Sequence, residues 1–248
     1  MQLVSTTTIL KWFDNEALQN YKQDLILSTV GRAMTEGASD FSTISKRVQE
    51  ALNANVDANN GTNFHSYAEA IAKGDKDSFD ISSANSTVLS FIRAFDKWVE
   101  KYDPKAIYSE VPIYNESVGY AGTCDGITEI NGNRYLIDYK TSKKAKFPWR
   151  SVKWQLAAYR GAEKMGVDTV ASKVEVNGKR FYEIPDQAYE KLPPMVKVDG
   201  CLVIQISPEG VDTYDVDVTS EDYRAFANIT KTYNKISQMG YGWARKWE

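Results

Sequence analysis

Apolar residues in the first hundred positions recur every three or four residues, which is the spacing of a helix with one buried face. Two stretches show it most clearly: Phe64, Tyr67, Ala68 and Ile71 in the first, and Val88, Ile92, Phe95 and Val99 in the second. Thr62 is a candidate N-cap for the first helix, and Pro104 follows the second where a helix normally stops. Residues 1–105 are therefore predicted to be mainly helical.

The pattern changes after residue 105, because β-branched and aromatic residues dominate from Ala106 to Thr141. Asn131-Gly132 lies in this stretch and predicts a two-residue hairpin turn, since both residue types tolerate the positive φ that such a turn requires. A helix is expected next, from Val152 to Met165, with Gly166 near its C-terminal end.

The last third of the chain predicts two more hairpins and a helix. The expected elements are strands Lys173–Val176 and Lys179–Ile184 around Asn177-Gly178, strands Leu202–Ser207 and Val211–Val218 around Pro208-Glu209-Gly210, and a helix capped by Thr219 or Ser220 that ends near Gly240. Helices before, within and after a sheet are typical of an α/β domain. We expect one domain over residues 1–248, with a sheet-containing core over 106–248.

Composition sets limits without identifying a partner. A hydrophobic fraction of 42% fits a folded chain, and a net charge of -3 gives no global sign of a nucleic-acid binder, although local charge decides such contacts. No signal peptide and no apolar run of about 18 residues is visible, so no membrane span is expected and the expected location is the cytoplasm. Cys124 and Cys201 are predicted to be reduced thiols, with a single disulfide as the alternative.

The Asn131-Gly132 turn determines which residues face each other across its hairpin. With Ile130 opposite Asn133, antiparallel counting places Asp125 opposite Asp138 on one face of the sheet. Lys140 lies two residues further along and projects from that face as well. A three-residue loop would instead separate the two carboxylates onto opposite faces. Two solvated aspartates at strand ends are the alternative interpretation of the same residues.

A cation would reverse the repulsion between two carboxylates held this close together. Mg²⁺ is bound in proteins by one or two carboxylates together with water and substrate phosphate oxygens. Such an ion polarises a phosphodiester and activates bound water, and Lys140 would position that water or stabilise charge in the transition state. The pattern therefore favours metal-dependent phosphodiester hydrolysis.

Three strings on these elements resemble motifs of the PD-(D/E)XK nucleases. They are Gly122-Thr-Cys-Asp125, Leu136-Ile-Asp138-Tyr-Lys140-Thr and Gln155-Leu-Ala-Ala-Tyr159. The order is most similar to the RecB-type exonuclease branch, which is common in phages and bacterial recombination systems. Two upstream strings fit the same branch: Gly61-Thr-Asn-Phe-His65 and Tyr108-Ser-Glu110-Val-Pro. The resemblance covers about residues 61 to 160, and it departs from the family where Cys124 replaces a proline.

The resemblance implies a restriction-endonuclease-like core, a mixed sheet flanked by helices, and specific residue roles. It implies metal binding by His65, Asp125, Asp138 and the backbone carbonyl of Tyr139, and catalysis by Asp125, Asp138, Lys140 and Gln155. Magnesium is the implied cofactor, and manganese is an alternative because imidazole suits it better. Glu110 has an accessory role that stays open: it assists the metal through water, or it pairs with a nearby base. Relatives with an iron–sulfur cluster use four cysteines, which this chain lacks.

A basic and aromatic segment follows the hairpin and suggests contact with DNA, because cations neutralise phosphates and aromatic rings stack on bases. The predicted DNA-binding residues are Lys143, Lys144, Lys146, Trp149, Arg150, Lys153 and Tyr159. Core packing alone also explains Tyr159, whereas Gln155 on the same helix face favours a polar contact with the catalytic strand or a phosphate. The C-terminal residues Tyr241, Trp243, Arg245, Lys246 and Trp247 extend this surface or form a packed tail.

The sequence therefore predicts a metal-dependent DNA nuclease, an exonuclease by resemblance, acting in recombination, repair or phage DNA processing, with a recombination protein as a further partner. Two alternatives stay open. One is a non-catalytic DNA-binding or partner-binding module of the same fold, and the other is a metallohydrolase that acts on a different substrate.

Overall fold

The computed structural model of the chain describes residues 1–13, 26–54, 56–142, 150–166 and 171–238, without the side chains of 52–54, 56–58 and 150. Its helices are α1 (Thr6–Phe13), α2 (residues 26–35), α3 (Phe41–Ala54), α4 (Val56–Ala72), α5 (Ser86–Tyr102), α6 (Arg150–Arg160), α7 (Asp186–Glu190) and α8 (Ser220–Gln238). Its strands are β1 (Gln2–Ser5), β2 (Lys105–Asn115), β3 (Tyr120–Ile130), β4 (Asn133–Thr141), β5 (Lys164–Met165), β6 (Ser172–Val176), β7 (Lys179–Glu183), β8 (Gly200–Ser207) and β9 (Gly210–Asp215).

The nine described strands form one mixed sheet in the order β6-β7-β1-β3-β4-β8-β9, with β2 beside β3 and β5 beside β2. Strand β3 is the branch point. β2 pairs with nearly all of β3 along one edge. The opposite edge is shared, because β1 pairs in parallel at Tyr120 and Ala121 while β4 pairs antiparallel from Gly126 to Ile130. The sheet therefore forks on this edge between residues 121 and 126. The α/β class predicted from the sequence is confirmed.

Both predicted Asn-Gly turns are present and have the positive φ values that the sequence requires. Asn131 and Gly132 have φ values of 52° and 79°, and Asn177 and Gly178 have values of 52° and 73°. Ile130 faces Asn133 as counted, and the ladder continues to Gly126 opposite Ile137. The predicted register is therefore confirmed up to the residue next to Asp125.

Helices α5 and α8 also match their predictions. The side chain of Asn85 accepts a hydrogen bond from the Val88 amide at the start of α5, and Asp103 in a left-handed conformation ends the helix just before Pro104. Thr219 caps α8, because its hydroxyl accepts from the Asp222 amide while the Asp222 carboxylate accepts from the Thr219 amide.

Two sequence predictions were wrong and one strand was missed, and long-range contacts explain the missed strand and one of the two errors. β1 was not foreseen; its four residues pair with both β3 and β7. α4 begins at Val56, so Thr62 is an interior residue and not a cap. The helix predicted to reach Met165 ends at Arg160, because Lys164 and Met165 pair with β2 as strand β5.

The sheet separates two large apolar layers. Ile127 and Leu136 face the layer beneath α1, α6 and α8, whereas Ile137 and Tyr139 face the layer beneath α4 and α5. In the second layer the rings of Phe64, Phe95 and Tyr139 meet edge to face, with centroids 5.3 to 6.0 Å apart. This aromatic cluster fixes α4 and α5 against β4.

Two expectations from composition can be compared with the structure. Cys124 and Cys201 are both buried and both free, so the expected thiols are confirmed over the disulfide. None of the helices within the described ranges is long and apolar enough to cross a bilayer.

Replacing Gly122 with alanine is expected to destabilise the fold. A Cβ atom there would lie 2.8 Å from the ring of Tyr159 and 3.1 Å from the Thr6 hydroxyl, both within well-packed surroundings. Overpacking of this kind costs about 1–3 kcal/mol. Urea unfolding of Gly122→Ala measures the loss. Gly31→Ala is the matched control, since open space surrounds Gly31 in α2 and alanine favours helix. Equal stability of the two variants would contradict the close approach.

Candidate active site

Helix α4 brings the single histidine of the chain to the end of β4. Gly61 lies one turn before His65, and a Cβ on Gly61 would lie 3.3 Å from the Thr141 hydroxyl oxygen. The absence of a side chain at Gly61 therefore permits the helix to approach the strand. Phe64 is fully buried next to it, while the His65 side chain keeps 29% of its surface exposed. The Gly-x-x-x-His spacing thus has a packing reason in this fold.

Glu110 reaches the same place through a distortion of β2. Ser109 pairs with Gly126 and Val111 pairs with Cys124, so Glu110 lies opposite Asp125 without a ladder pair between them. Its backbone is left-handed, with a φ of 50°. A non-glycine residue in this conformation costs about 1–2 kcal/mol. Strain of this kind clusters at functional sites, where the surrounding structure holds it in place.

His65, Glu110 and Asp125 form a cluster in which one ligand atom from each lies within 4.8 Å of the others. The Nδ1 atom of His65 is 3.6 Å from a carboxylate oxygen of Asp125 and 4.0 Å from one of Glu110. Burial raises the pKa of Glu110 to about 7, and the nearby negative charge of Asp125 adds to the shift. One imidazole and two mutually repelling carboxylates are a donor set that suits a divalent cation.

Asp125 is fixed by the fork in the sheet. Its Oδ2 atom accepts a hydrogen bond of 2.6 Å from the backbone amide of Tyr139, while Oδ1 faces His65. The ladder between β3 and β4 has stopped one residue earlier, so this amide is available to the side chain. The Tyr139 ring points into the aromatic layer, as expected. A role for its backbone carbonyl as a metal ligand stays a prediction.

Asp138 and Lys140, the two neighbours of Tyr139 in β4, form an ion pair with each other. Asp138 is fully buried, and its Oδ2 atom lies 2.5 Å from the Lys140 ammonium. Burial raises the pKa of Asp138 to about 6 against the opposing attraction of Lys140. Burial also disfavours the charge on Lys140, but Asp138 and Asp125 outweigh it and raise the lysine pKa. Lys140 is therefore a cation, suited to stabilise negative charge and not to accept a proton.

Gln155 links this pair to α6. Its Oε1 atom is 3.5 Å from the Lys140 ammonium, and its Nε2 atom donates to the Tyr159 hydroxyl at 2.9 Å. Tyr159 is 2% exposed and packs in the core. That burial contradicts the predicted contact of Tyr159 with DNA. Tyr159 instead fixes the amide of Gln155, which in turn faces Lys140.

The other predicted DNA-binding residues lie mainly outside the described ranges. Lys143, Lys144, Lys146 and Trp149 belong to this group, and Arg150 opens α6 with an undescribed side chain. Lys153 is described, and its ammonium pairs with Asp222 at 3.1 Å.

One residue of the site was missed by the sequence analysis. Gln205 is 5% exposed, and its Nε2 atom donates to the Lys140 carbonyl at 3.0 Å and to the Ser142 hydroxyl at 3.1 Å. These bonds hold the end of β4 against β8. A polar amide inside the apolar run Leu202–Ile206 was the available signal, because a buried amide requires partners.

Comparisons with known proteins add little to this geometry. No protein-family model matches the chain, and no curated protein matches it. Among solved structures it is similar to one described as the crystal structure of SSO0001, with 14% sequence identity and a TM-score of 0.33 over 73% of this chain and 75% of that one.

Metal binding at this cluster is expected to strengthen as pH rises through about 7. Without metal, the raised pKa of Glu110 favours the folded state at acidic pH, and this contribution is lost as pH rises through the folded value. A cation must displace that proton, so the rise in Tm caused by Mn²⁺ should be larger at pH 8 than at pH 5.5. Thermal unfolding of the wild type and Glu110→Gln tests this. An equal pH dependence in both proteins would contradict the assignment.

Glu110→Gly is expected to raise stability in EDTA and to weaken the response to Mn²⁺. The substitution relieves the left-handed backbone and the repulsion by Asp125, a gain of about 1 kcal/mol. Asp103→Gly is the matched control, because Asp103 is also left-handed, with a φ of 43°, and is exposed at the end of α5. The control should gain stability while its Mn²⁺ response stays that of the wild type. A full Mn²⁺ response in Glu110→Gly would exclude Glu110 as a ligand.

Proposed function

We propose that the chain is a divalent-metal-dependent deoxyribonuclease that hydrolyses phosphodiester bonds. The observation that carries this proposal is the arrangement around one backbone amide. The Tyr139 N–H holds Asp125 of the acidic cluster, and the residues on either side of Tyr139 are the paired Asp138 and Lys140. A cation-binding cluster and a fixed ammonium therefore adjoin one another, which is the combination that phosphoryl chemistry needs.

In this proposal the residues of the site have different roles. His65, Asp125 and Glu110 supply the ligand atoms for Mg²⁺ or Mn²⁺, and the buried Asp138 adds negative charge next to them. When bound, the metal supplies positive charge for the phosphate oxygens and lowers the pKa of water. Lys140 stabilises the charge that develops on the phosphate in the transition state, and its side chain is only a third exposed. Gln155 restricts the position of that ammonium.

The proposal extends to an exonuclease of recombination, repair or phage DNA processing that acts in the cytoplasm with a recombination protein as partner. The resemblance of the motifs between residues 61 and 160 supports this more specific form. A comparison of circular with linear DNA in the same reaction tests it, because an exonuclease requires an end. Degradation of intact circles at the same rate would contradict exonuclease action.

The activity itself is tested with labelled linear single- and double-stranded DNA in Mg²⁺, Mn²⁺ or EDTA. We expect cleavage with either metal and none in EDTA. Persistent cleavage in EDTA would contradict the metal requirement. Binding of DNA without cleavage under any divalent metal would instead support the non-catalytic module.

Lys140→Ala is expected to separate catalysis from metal binding. Loss of a charge that acts in the transition state costs about 10²–10³ in kcat. The rise in Tm with Mn²⁺ should persist, since Lys140 is not a ligand. Asp125→Asn should lose both properties. Lys191→Ala, at an exposed lysine in the described chain, is the control and should keep both. Wild-type kcat in Lys140→Ala would contradict this role.

A further inference from the structure

A groove runs along the outer side of α5, separate from the residues of the candidate site. It has a volume of about 360 Å³ and lies between α5 and the turn from β8 to β9. Its lining includes three cations, Arg93, Lys97 and Lys101, and one carboxylate, Glu209. The groove is therefore positive in a chain whose net charge is -3.

The three cations form a line on one face of the helix. They are four residues apart, which places successive charges about 6 Å apart along the axis. All three are exposed, and within the described ranges no carboxylate forms an ion pair with any of them. The nearby Asp96 is already engaged by the Tyr67 hydroxyl and the Lys76 ammonium. Like charges at this spacing repel one another, so the line costs stability unless an anion binds.

The floor of the groove is rigid. Trp98 is 4% exposed, stacks on Phe95, and donates from its indole nitrogen to the Thr213 hydroxyl at 2.8 Å. These contacts fix α5 on the sheet. The spacing of the three cations is therefore set by a helix that is anchored from below, and a ligand with regularly spaced negative charges would match it.

The groove lies next to the end of the sheet at which β4 and β8 terminate. β4 and β8 run in parallel, with Lys140 beside Gln205 and Thr141 beside Ile206. The Ser142 amide donates to the Ile206 carbonyl at 3.0 Å. The turn at Pro208 to Gly210 follows directly, and it forms one wall of the groove. The groove therefore adjoins the C-terminal end of the strand pair that carries Lys140.

We propose that this groove binds the phosphate backbone of a single nucleic-acid strand that extends from the site. Phosphates repeat along a strand at a spacing similar to that of the three cations, and electrostatic contacts with phosphate do not depend on base sequence. Glu209 weakens the positive field of the groove and limits its affinity. The inference rests on the proposed function, for which it supplies the path of the substrate.

The test measures DNA binding without catalysis. Fluorescence anisotropy of a labelled single-stranded DNA oligonucleotide is recorded in EDTA over a range of salt concentrations. The variant combines Arg93→Gln, Lys97→Gln and Lys101→Gln. The control combines Lys191→Gln, Lys231→Gln and Lys235→Gln, which removes the same charge from exposed positions elsewhere. Glu209→Gln is measured as a variant that should gain affinity, and thermal unfolding checks that each protein is folded.

Three lost phosphate contacts should reduce the slope of log Kd against log salt by about 2, since each contributes about 0.7 for a single strand. The control should keep the wild-type slope, and Glu209→Gln should bind more tightly. Equal losses in the two triple variants, or no binding by the wild type in EDTA, would overturn the groove. If the wild type cleaves DNA but the groove variant keeps the wild-type salt slope, the groove is refuted and the nuclease proposal is not. A reduced slope in a protein that never cleaves DNA supports the groove and refutes the nuclease.

Discussion

The hydrogen bond from the Tyr139 amide to the Asp125 carboxylate is the interaction on which the candidate site depends. In an unbroken antiparallel ladder, a backbone amide at this position has a carbonyl as its partner. Here the ladder ends at Gly126 and Ile137, and a side chain takes the place of the missing strand pair. The fork of the sheet is therefore satisfied by a charged group, which is held rigidly with its second oxygen directed toward His65.

The same fork places several carboxyl groups close together, and the protein compensates their mutual repulsion only in part. Glu110, Asp125 and Asp138 bring three carboxyl groups into one region, where Lys140 pairs with Asp138 and His65 lies near the other two. Burial of charge is unfavourable unless it is compensated, and removal of one partner from a buried pair leaves the other uncompensated. Repulsion among these carboxylates therefore lowers the stability of the folded state, which is a common property of regions that bind or transform a ligand.

Much of the site could be predicted from sequence because local rules determine it. Asn131-Gly132 specifies a two-residue turn, and the turn fixes the register as far as Gly126. Gly61 and Gly122 allow two parts of the chain to approach closely. The partners in these approaches, Thr141 and Tyr159, come from distant segments and could not be predicted. The fork could not be predicted, since it depends on β1 and β4 sharing one edge of β3. The left-handed backbone of Glu110 and the burial of Tyr159 follow from the same long-range packing, which has no local signature.

The positions of the two cysteines make them suitable probes of local unfolding. Cys124 lies next to Asp125 in β3, Cys201 lies in β8, and both are fully buried with thiol pKa values raised by burial. A thiol reagent reacts with the thiolate, so neither residue is reactive until its strand is exposed. The unmodified chain therefore carries its own reporters of local opening, one at the fork and one in the strand that supports Lys140. Pulsed labelling followed by mass spectrometry would reveal whether these two strands open together or separately.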